Sequence, residues 1–174
     1  MTLQEISDQA EALADRFNPG NLAPFPYENV VAAQPDLDIL FTELEDDAIS
    51  GVTLFRDEGF IILVNSAKPE TRQNFTLGHE LGHYFLHKEL LRAQKMISDG
   101  DAWLDGSNIL YRRDGANGTE VETEANNFAA SLIMPANLVR RAWKVTGSIE
   151  ECASIFRVSA VAMSVRLTRL GLVR

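Results

Sequence analysis

The histidines of this chain carry the clearest chemical signal. All three of them, His79, His83 and His87, lie within nine residues at a spacing of four. Residues four apart lie on one face of a helix, so His79 and His83 could both reach one metal ion at about 2.0–2.1 Å. Glu80 stands beside the first histidine, where it could take a proton from a water that attacks a carbonyl. The spacing therefore predicts a hydrolytic metal site with Glu80 as general base.

The third metal ligand has to come from another part of the chain. No further histidine exists, and Cys152 is a lone cysteine, so a carboxylate is expected. Three acids open a later helical segment, and among them Glu122 lies on its small and apolar face. We predict Glu122 as the ligand, with Glu124 as the main alternative, whereas Glu120 suits a helix N-terminus through the helix dipole. Asn126, one turn after Glu122, could orient a ligand histidine by a hydrogen bond.

The metal and the remaining candidates allow several assignments. We predict one Zn²⁺ per chain, and Mn²⁺ or Fe²⁺ also fits two imidazoles and one carboxylate. His87 lies about 12 Å along the helix from His79, too far to join the same coordination sphere. We interpret it as a residue that supports a ligand histidine or caps the helix, with an ordinary surface histidine as the alternative. Four residues are candidates for stabilising an oxyanion: Tyr84, Tyr111, Arg112 and Arg113.

Hydrophobic patterning predicts the elements that position these residues. A first amphipathic helix begins after Thr2, with Glu5 completing a capping box, and ends at Pro19. Apolar runs over 37–44, 49–55 and 60–64, with a turn at 56–59, predict a small antiparallel sheet of three strands. Helices are predicted over 71–88, from about residue 120 to Pro135, and over 137–145, 148–156 and 159–170, with 94–119 mostly loop. The fold class is α+β, with the sheet packed on the histidine helix.

Composition limits the possible compartments and partners. No apolar run approaches the roughly 18 residues needed to cross a bilayer, and the N-terminus lacks the pattern of a signal peptide. With one cysteine there is no internal disulfide. We therefore expect a cytoplasmic protein without membrane attachment. The net charge of −9 argues against a whole-molecule nucleic-acid binder.

The C-terminal segment differs in charge from the rest. Residues 136–174 contain 7 Lys and Arg against 2 Asp and Glu. Their last two predicted helices, joined by a short turn, resemble a helix-turn-helix whose arginines could contact phosphates or an acidic protein surface. We favour a helical hairpin that packs on the core, because the whole protein is acidic. We predict a core over 1–135 and a basic helical segment over 136–174, with direct DNA binding disfavoured.

Two motifs together resemble the ImmA/IrrE family of metallopeptidases. The first is the run from Phe75 to His87, and the second runs from Glu122 through Asn126 to the Met-Pro pair at Pro135. The resemblance implies a zincin-like fold, zinc held by two histidines and the later Glu122, and Glu80 as base. It also implies a partner, a helix-turn-helix transcriptional repressor that is cleaved to relieve repression in phage, mobile-element or stress-response circuits. Longer relatives carry further domains, and because the N-terminal helix is short we expect no fused DNA-binding domain ahead of the core.

The leading hypothesis is therefore a site-specific zinc endopeptidase that acts on a repressor. Its substrate could lie extended against an edge strand, for which we name the strand over 60–64. The alternative is a non-proteolytic regulatory or antitoxin-like binding protein with a structural zinc site. An intact Glu80 argues against the alternative, since a structural site gains nothing from a base there. The substrate, its cleavage site, the activating signal and the oligomeric state do not follow from the sequence.

Overall fold

A computed structural model describes residues 1–97 and 120–174. The described helices, in chain order, are α1 Leu3–Phe17, α2 Glu28–Ala33, α3 Glu70–Leu86, α4 Lys88–Ile97, α5 Glu120–Ile133, α6 Ala136–Thr146, α7 Ile149–Phe156 and α8 Ala160–Arg169. The strands are β1 Leu37–Thr42, β2 Gly51–Arg56 and β3 Gly59–Asn65. One small sheet and a majority of helices confirm the predicted α+β class. The predicted loop over 94–119 falls largely outside the described residues.

The sheet is mixed, with β3 in the centre and the strand order β1-β3-β2. β2 and β3 pair antiparallel through the predicted hairpin turn, where Asp57 and Glu58 take positive φ angles of 50° and 65°. β1 pairs parallel to β3, so the prediction of an all-antiparallel sheet was wrong. The physical reason is that β2, the next strand after β1, lies at the opposite edge of the sheet. The hairpin then places β3 between the two edge strands. β3 consequently runs in the same direction as β1.

The first helix forms as its sequence predicts. The Glu5 amide donates to the Thr2 hydroxyl at 3.2 Å, and the Thr2 amide donates to the Glu5 carboxylate at 2.8 Å, which completes the capping box. The apolar face of α1 buries Ile6, Ala10 and Phe17 in the main core. This face packs along α5, the helix that carries the predicted third ligand.

Two short helices, α2 and α4, were not predicted. The predicted helix over 71–88 ends in fact at Leu86, and His87 caps it with φ −122° and ψ 23°. The His87 amide still donates to the His83 carbonyl at 2.9 Å, and α4 begins at the next residue. The helical spacing of hydrophobic residues continues past His87, so the sequence does not show that one helix ends and another begins there.

Glycines on α3 allow this helix to approach α5 closely. A Cβ at Gly82 would lie 3.1 Å from both the Cα and the carbonyl oxygen of Ala125. One turn earlier, a Cβ at Gly78 would lie 3.0 Å from the Cγ2 atom of Ile133. The two backbones can therefore pack with little between them, and the first turn of α5 lies beside the histidines.

The C-terminal helices pack on the core through a buried arginine. Arg166 is 5% exposed and donates to the Met134 carbonyl at 2.9 Å and to Glu11 Oε1 at 2.7 Å. Side chains of α7 and α8, including Phe156 and Leu167, belong to the same hydrophobic cluster as α1 and α5. Arg166 therefore lies inside the protein and is not placed to contact phosphates.

The division of the chain at residue 135 stays a prediction. Among the described helices, none combines the length and the hydrophobicity needed to cross a membrane.

Candidate metal centre

Three donor groups meet where α3 and α5 touch. His79 and His83 are fully buried on α3, and their Nε2 atoms lie 3.0 Å apart. Glu122, in the first turn of α5, places Oε2 3.2 Å from His79 Nε2 and Oε1 3.3 Å from His83 Nε2. All the ligand atoms of this group lie within 4.8 Å of one another. The structure thus brings together the three residues predicted as ligands.

The donor set fits a divalent metal ion. Three atoms bound tetrahedrally at about 2.0–2.1 Å would lie roughly 3.3 Å from one another, close to the separations found here. Burial raises the pKa of Glu122, but the neighbouring His79 and His83 outweigh burial and hold that pKa well below its usual range. Glu122 is therefore an anion at neutral pH. Two imidazoles and one carboxylate are a donor set that catalytic zinc sites use, with the fourth position left to water.

Asn126 orients the first histidine. Its Oδ1 atom lies 3.0 Å from His79 Nδ1, so that Nδ1–H can donate to the amide oxygen. A neutral imidazole carries one N–H, so this bond leaves the Nε2 lone pair directed at the donor set. Asn126 stands one turn after Glu122 on α5, the position assigned to it from the sequence.

His87 and Glu124 lie behind the second histidine. His87 Nδ1 is 3.0 Å from His83 Nδ1, and His87 Nε2 is 2.9 Å from Glu124 Oε2. Burial lowers the pKa of His87, and the hydrogen bond that His87 donates to Glu124 offsets only part of that effect. Glu124 is thus bound to His87, and it is Glu122 that lies against the paired Nε2 atoms. Glu120, the third acid, is exposed at the start of α5.

Glu80 is buried between the histidine helix and the sheet. The Thr53 hydroxyl on β2 donates to Glu80 Oε2 at 2.7 Å, and both residues are nearly inaccessible. Sequence reasoning missed Thr53. The available signal was a hydroxyl residue between Val52 and Leu54 in an otherwise apolar run, but the sequence does not tell which helix such a strand faces.

Of the four residues predicted as candidates for stabilising an oxyanion, the structure describes one. The Tyr84 hydroxyl donates to Asp36 Oδ1 at 2.6 Å and lies 3.0 Å from Gln34 Oε1, just before β1. Burial raises the pKa of Tyr84, and Asp36 raises it further. Tyr84 therefore anchors α3 to the β1 end of the sheet, and this placement contradicts an oxyanion role for it. The other candidates, Tyr111, Arg112 and Arg113, lie outside the described residues.

A helix with the His-Glu-x-x-His spacing, a carboxylate from a later helix and a small sheet behind them define the class of metallopeptidase-like domains. Residues 32–168 match the family model of the IrrE N-terminal-like domain, and the chain belongs to this family. This confirms the resemblance to the ImmA/IrrE family.

The chain is 30% identical over 146 residues, 80% of its length, to the radiation response metalloprotease IrrE of Deinococcus radiodurans. Over 101 residues, 57% of its length, it is 30% identical to the metallopeptidase ImmA of Bacillus subtilis. The aligned parts span 39% of the first relative and 51% of the second.

The contact of Gly82 with α5 leads to a prediction about metal binding. Gly82→Ala should push the Ala125 backbone away, move Glu122 from the histidines and weaken zinc binding about tenfold. It should also destabilise the fold by about 1–3 kcal/mol, because an added methyl group overpacks a tight contact. Gly78→Ala is the matched control, since its added Cβ meets Ile133 Cγ2 at 3.0 Å and Ala129 Cβ at 3.4 Å, in the half of α5 that lies away from Glu122. Zinc titration and thermal unfolding measure both effects, and equal zinc affinity in the two variants would contradict the prediction.

Proposed function

We propose that this chain is a zinc-dependent, site-specific endopeptidase. The observation that carries the proposal is a buried carboxylate, Glu80, adjacent in sequence to His79 of a His-His-Glu donor set and held by Thr53. A structural metal site has no use for a base at this position. Two relatives that are themselves named as metalloprotease and metallopeptidase support the same class of reaction.

The residues divide the work of peptide hydrolysis. A zinc ion bound here would supply Lewis-acid chemistry that polarises the scissile carbonyl and lowers the pKa of a bound water to about 7. His79, His83 and Glu122 would hold this ion. Glu80 accepts the proton of the attacking water and passes it to the leaving amine nitrogen as the C–N bond breaks. The hydroxyl of Thr53 keeps the Glu80 carboxylate in one orientation throughout.

The sheet suggests where a substrate segment would lie. The strand over 60–64, named from the sequence as the platform, is part of β3, which is paired on both sides, so that assignment was wrong. β2 is an edge strand, and it carries Thr53 beside Glu80. We place an extended substrate segment along β2, where main-chain hydrogen bonds would give affinity and alternate side chains would give specificity.

We propose a helix-turn-helix transcriptional repressor as the protein substrate and the cytoplasm as the compartment. The repressor is supported by the family resemblance. The cytoplasm is supported by the single cysteine and by the lack of a long apolar run or a signal-peptide pattern in the sequence. The interior position of Arg166 and the acidic net charge argue against direct DNA binding by this chain.

Cleavage of a purified repressor tests the proposed function. The zinc-loaded protein is incubated with helix-turn-helix repressors from the same genome and, in parallel, with a peptide library, and fragments are identified by mass spectrometry. We expect one dominant cut that disappears with a chelator and returns with zinc. Stable binding of a repressor, with no cut in it or in the library, would overturn the proposal and favour a regulatory binding protein.

The bond between Thr53 and Glu80 gives a further prediction. Thr53→Val keeps the shape of the side chain but removes the hydroxyl, and we expect kcat/KM to fall about 10- to 100-fold with zinc content unchanged. The reason is that a hydrogen bond to a charged group contributes about 1.5–3 kcal/mol. Thr53→Ser keeps the hydroxyl and serves as the control. Wild-type activity in Thr53→Val would refute the positioning role of this residue.

A further inference from the structure

A chain of three side chains leads away from the second ligand histidine. His83 Nδ1 contacts His87 Nδ1 at 3.0 Å, and His87 Nε2 contacts Glu124 Oε2 at 2.9 Å. His83 is fully buried, and the side chains of His87 and Glu124 are 8% and 16% exposed. These three groups come from two helices and the cap between α3 and α4, so the chain exists only in the folded protein.

The positions of the protons follow from counting donors. A carboxylate oxygen cannot donate, so His87 Nε2–H donates to Glu124. A neutral imidazole has one N–H, which leaves His87 Nδ1 as an acceptor. His83 Nδ1 and His87 Nδ1 lie 3.0 Å apart and outside the donor set, so they share one proton and His83 Nδ1–H donates to His87. His83 Nε2 then carries the lone pair that faces His79 and Glu122.

We infer that His87 and Glu124 are positioning residues that hold His83 in the Nδ1–H tautomer and keep its Nε2 available to metal. The inference rests on the metal site of the proposed function. It assigns His87 the opposite tautomer, with its proton on Nε2. Asn126 performs the same task for His79 with a single amide oxygen, so the two ligand histidines reach the same tautomer by different means.

The alternative proton arrangement is incompatible with metal binding. If His87 donated from Nδ1, then His83 Nδ1 would have to accept and its proton would move to Nε2. That proton would occupy the lone pair that a metal needs. The tautomer of His87 is therefore coupled to the donor capacity of His83, even though His87 cannot itself reach the donor set.

Nitrogen-15 NMR of the histidine rings tests the inference directly. The protein has 3 histidines, so labelled histidine yields three ring systems, and the missing signals of His87→Phe assign one of them. In the zinc-loaded protein we expect Nδ1–H rings for His79 and His83 and an Nε2–H ring for His87. An Nδ1–H or doubly protonated ring for His87 in the zinc-loaded protein would overturn the inference.

Zinc affinity provides the second measurement, by competition with a chelating dye. His87→Phe keeps an aromatic ring but has no acceptor, and we expect zinc binding to weaken about 10- to 100-fold. His87→Gln should restore most of the affinity, because its amide oxygen can accept from His83 Nδ1–H. Tyr84→Phe, which removes a partly buried hydrogen bond on the β1 side of α3, is the control and should lose stability without losing zinc.

The outcomes separate the inference from the proposed function. If the wild-type protein binds no zinc, the proposed function fails. If it binds zinc and His87→Phe, correctly folded, binds equally well, only the positioning role fails. If His87→Phe does not fold, the missing ring signals of His87→Gln give the assignment, and the ring tautomers of the wild-type protein still decide the question.

Discussion

Glu80→Gln is expected to lower kcat/KM for peptide hydrolysis by about 10²- to 10⁴-fold, the range that general acid–base groups contribute. The substitution preserves the shape of the side chain and leaves an amide oxygen to accept from Thr53. It removes the only function that distinguishes the proposed peptidase from a passive metal site, namely acceptance of a proton from water. The measurement is the rate of cleavage of the identified repressor or of the best library peptide.

The control for this variant is its metal content. Glu80→Gln should hold as much zinc as the wild-type protein, because His79, His83 and Glu122 are unchanged. A parallel loss of zinc and activity would show that Glu80 supports the donor set. Full activity without the carboxylate would exclude Glu80 as the base.

Glu122→Ala is expected to weaken zinc binding by about 10²- to 10³-fold. Structural zinc sites with four ligands bind with roughly 10–16 kcal/mol, so one ligand accounts for about 2.5–4 kcal/mol. His79→Ala and His83→Ala should have effects of the same size, because each residue supplies one donor atom. The zinc content of protein purified without added metal, followed by titration, measures these losses.

The neighbouring acids provide matched controls for Glu122. Glu124→Ala should weaken zinc binding less, since Glu124 acts through His87 and not on the metal. Glu120→Ala should have no effect, because its side chain is exposed. A larger loss in Glu124→Ala than in Glu122→Ala would mean that the ligand assignment is wrong.

The local parts of the site could be predicted from the sequence. His79, Glu80 and His83 belong to one helix, and helical periodicity alone places the two histidines on one face. Asn126 likewise follows Glu122 by one turn. The capping box at Thr2 and the hairpin turn at Asp57 are also local, and both are found where the sequence places them.

The contacts between elements could not be predicted in this way. Glu122 and Glu124 are two residues apart on α5, and which of them reaches the metal depends on how α5 rotates against α3 at Gly82. Thr53 and Glu80 are 27 residues apart, and their hydrogen bond requires β2 to lie at the sheet edge beside α3. The parallel pairing of β1 with β3 depends on a chain crossing that hydrophobic alternation does not encode.

The sequence alone predicted the histidine helix and the candidate base from residue types at helical spacing, and it indicated the family through the resemblance of two motifs. Three contacts depend on the tertiary structure alone: the hydrogen bonds of Thr53 with Glu80, of His87 with Glu124, and of Tyr84 with Asp36. The physical reason is the separation of the contacting residues along the sequence. Spacing along a helix is set by backbone geometry within a few residues, whereas contacts between elements are set by how whole faces pack.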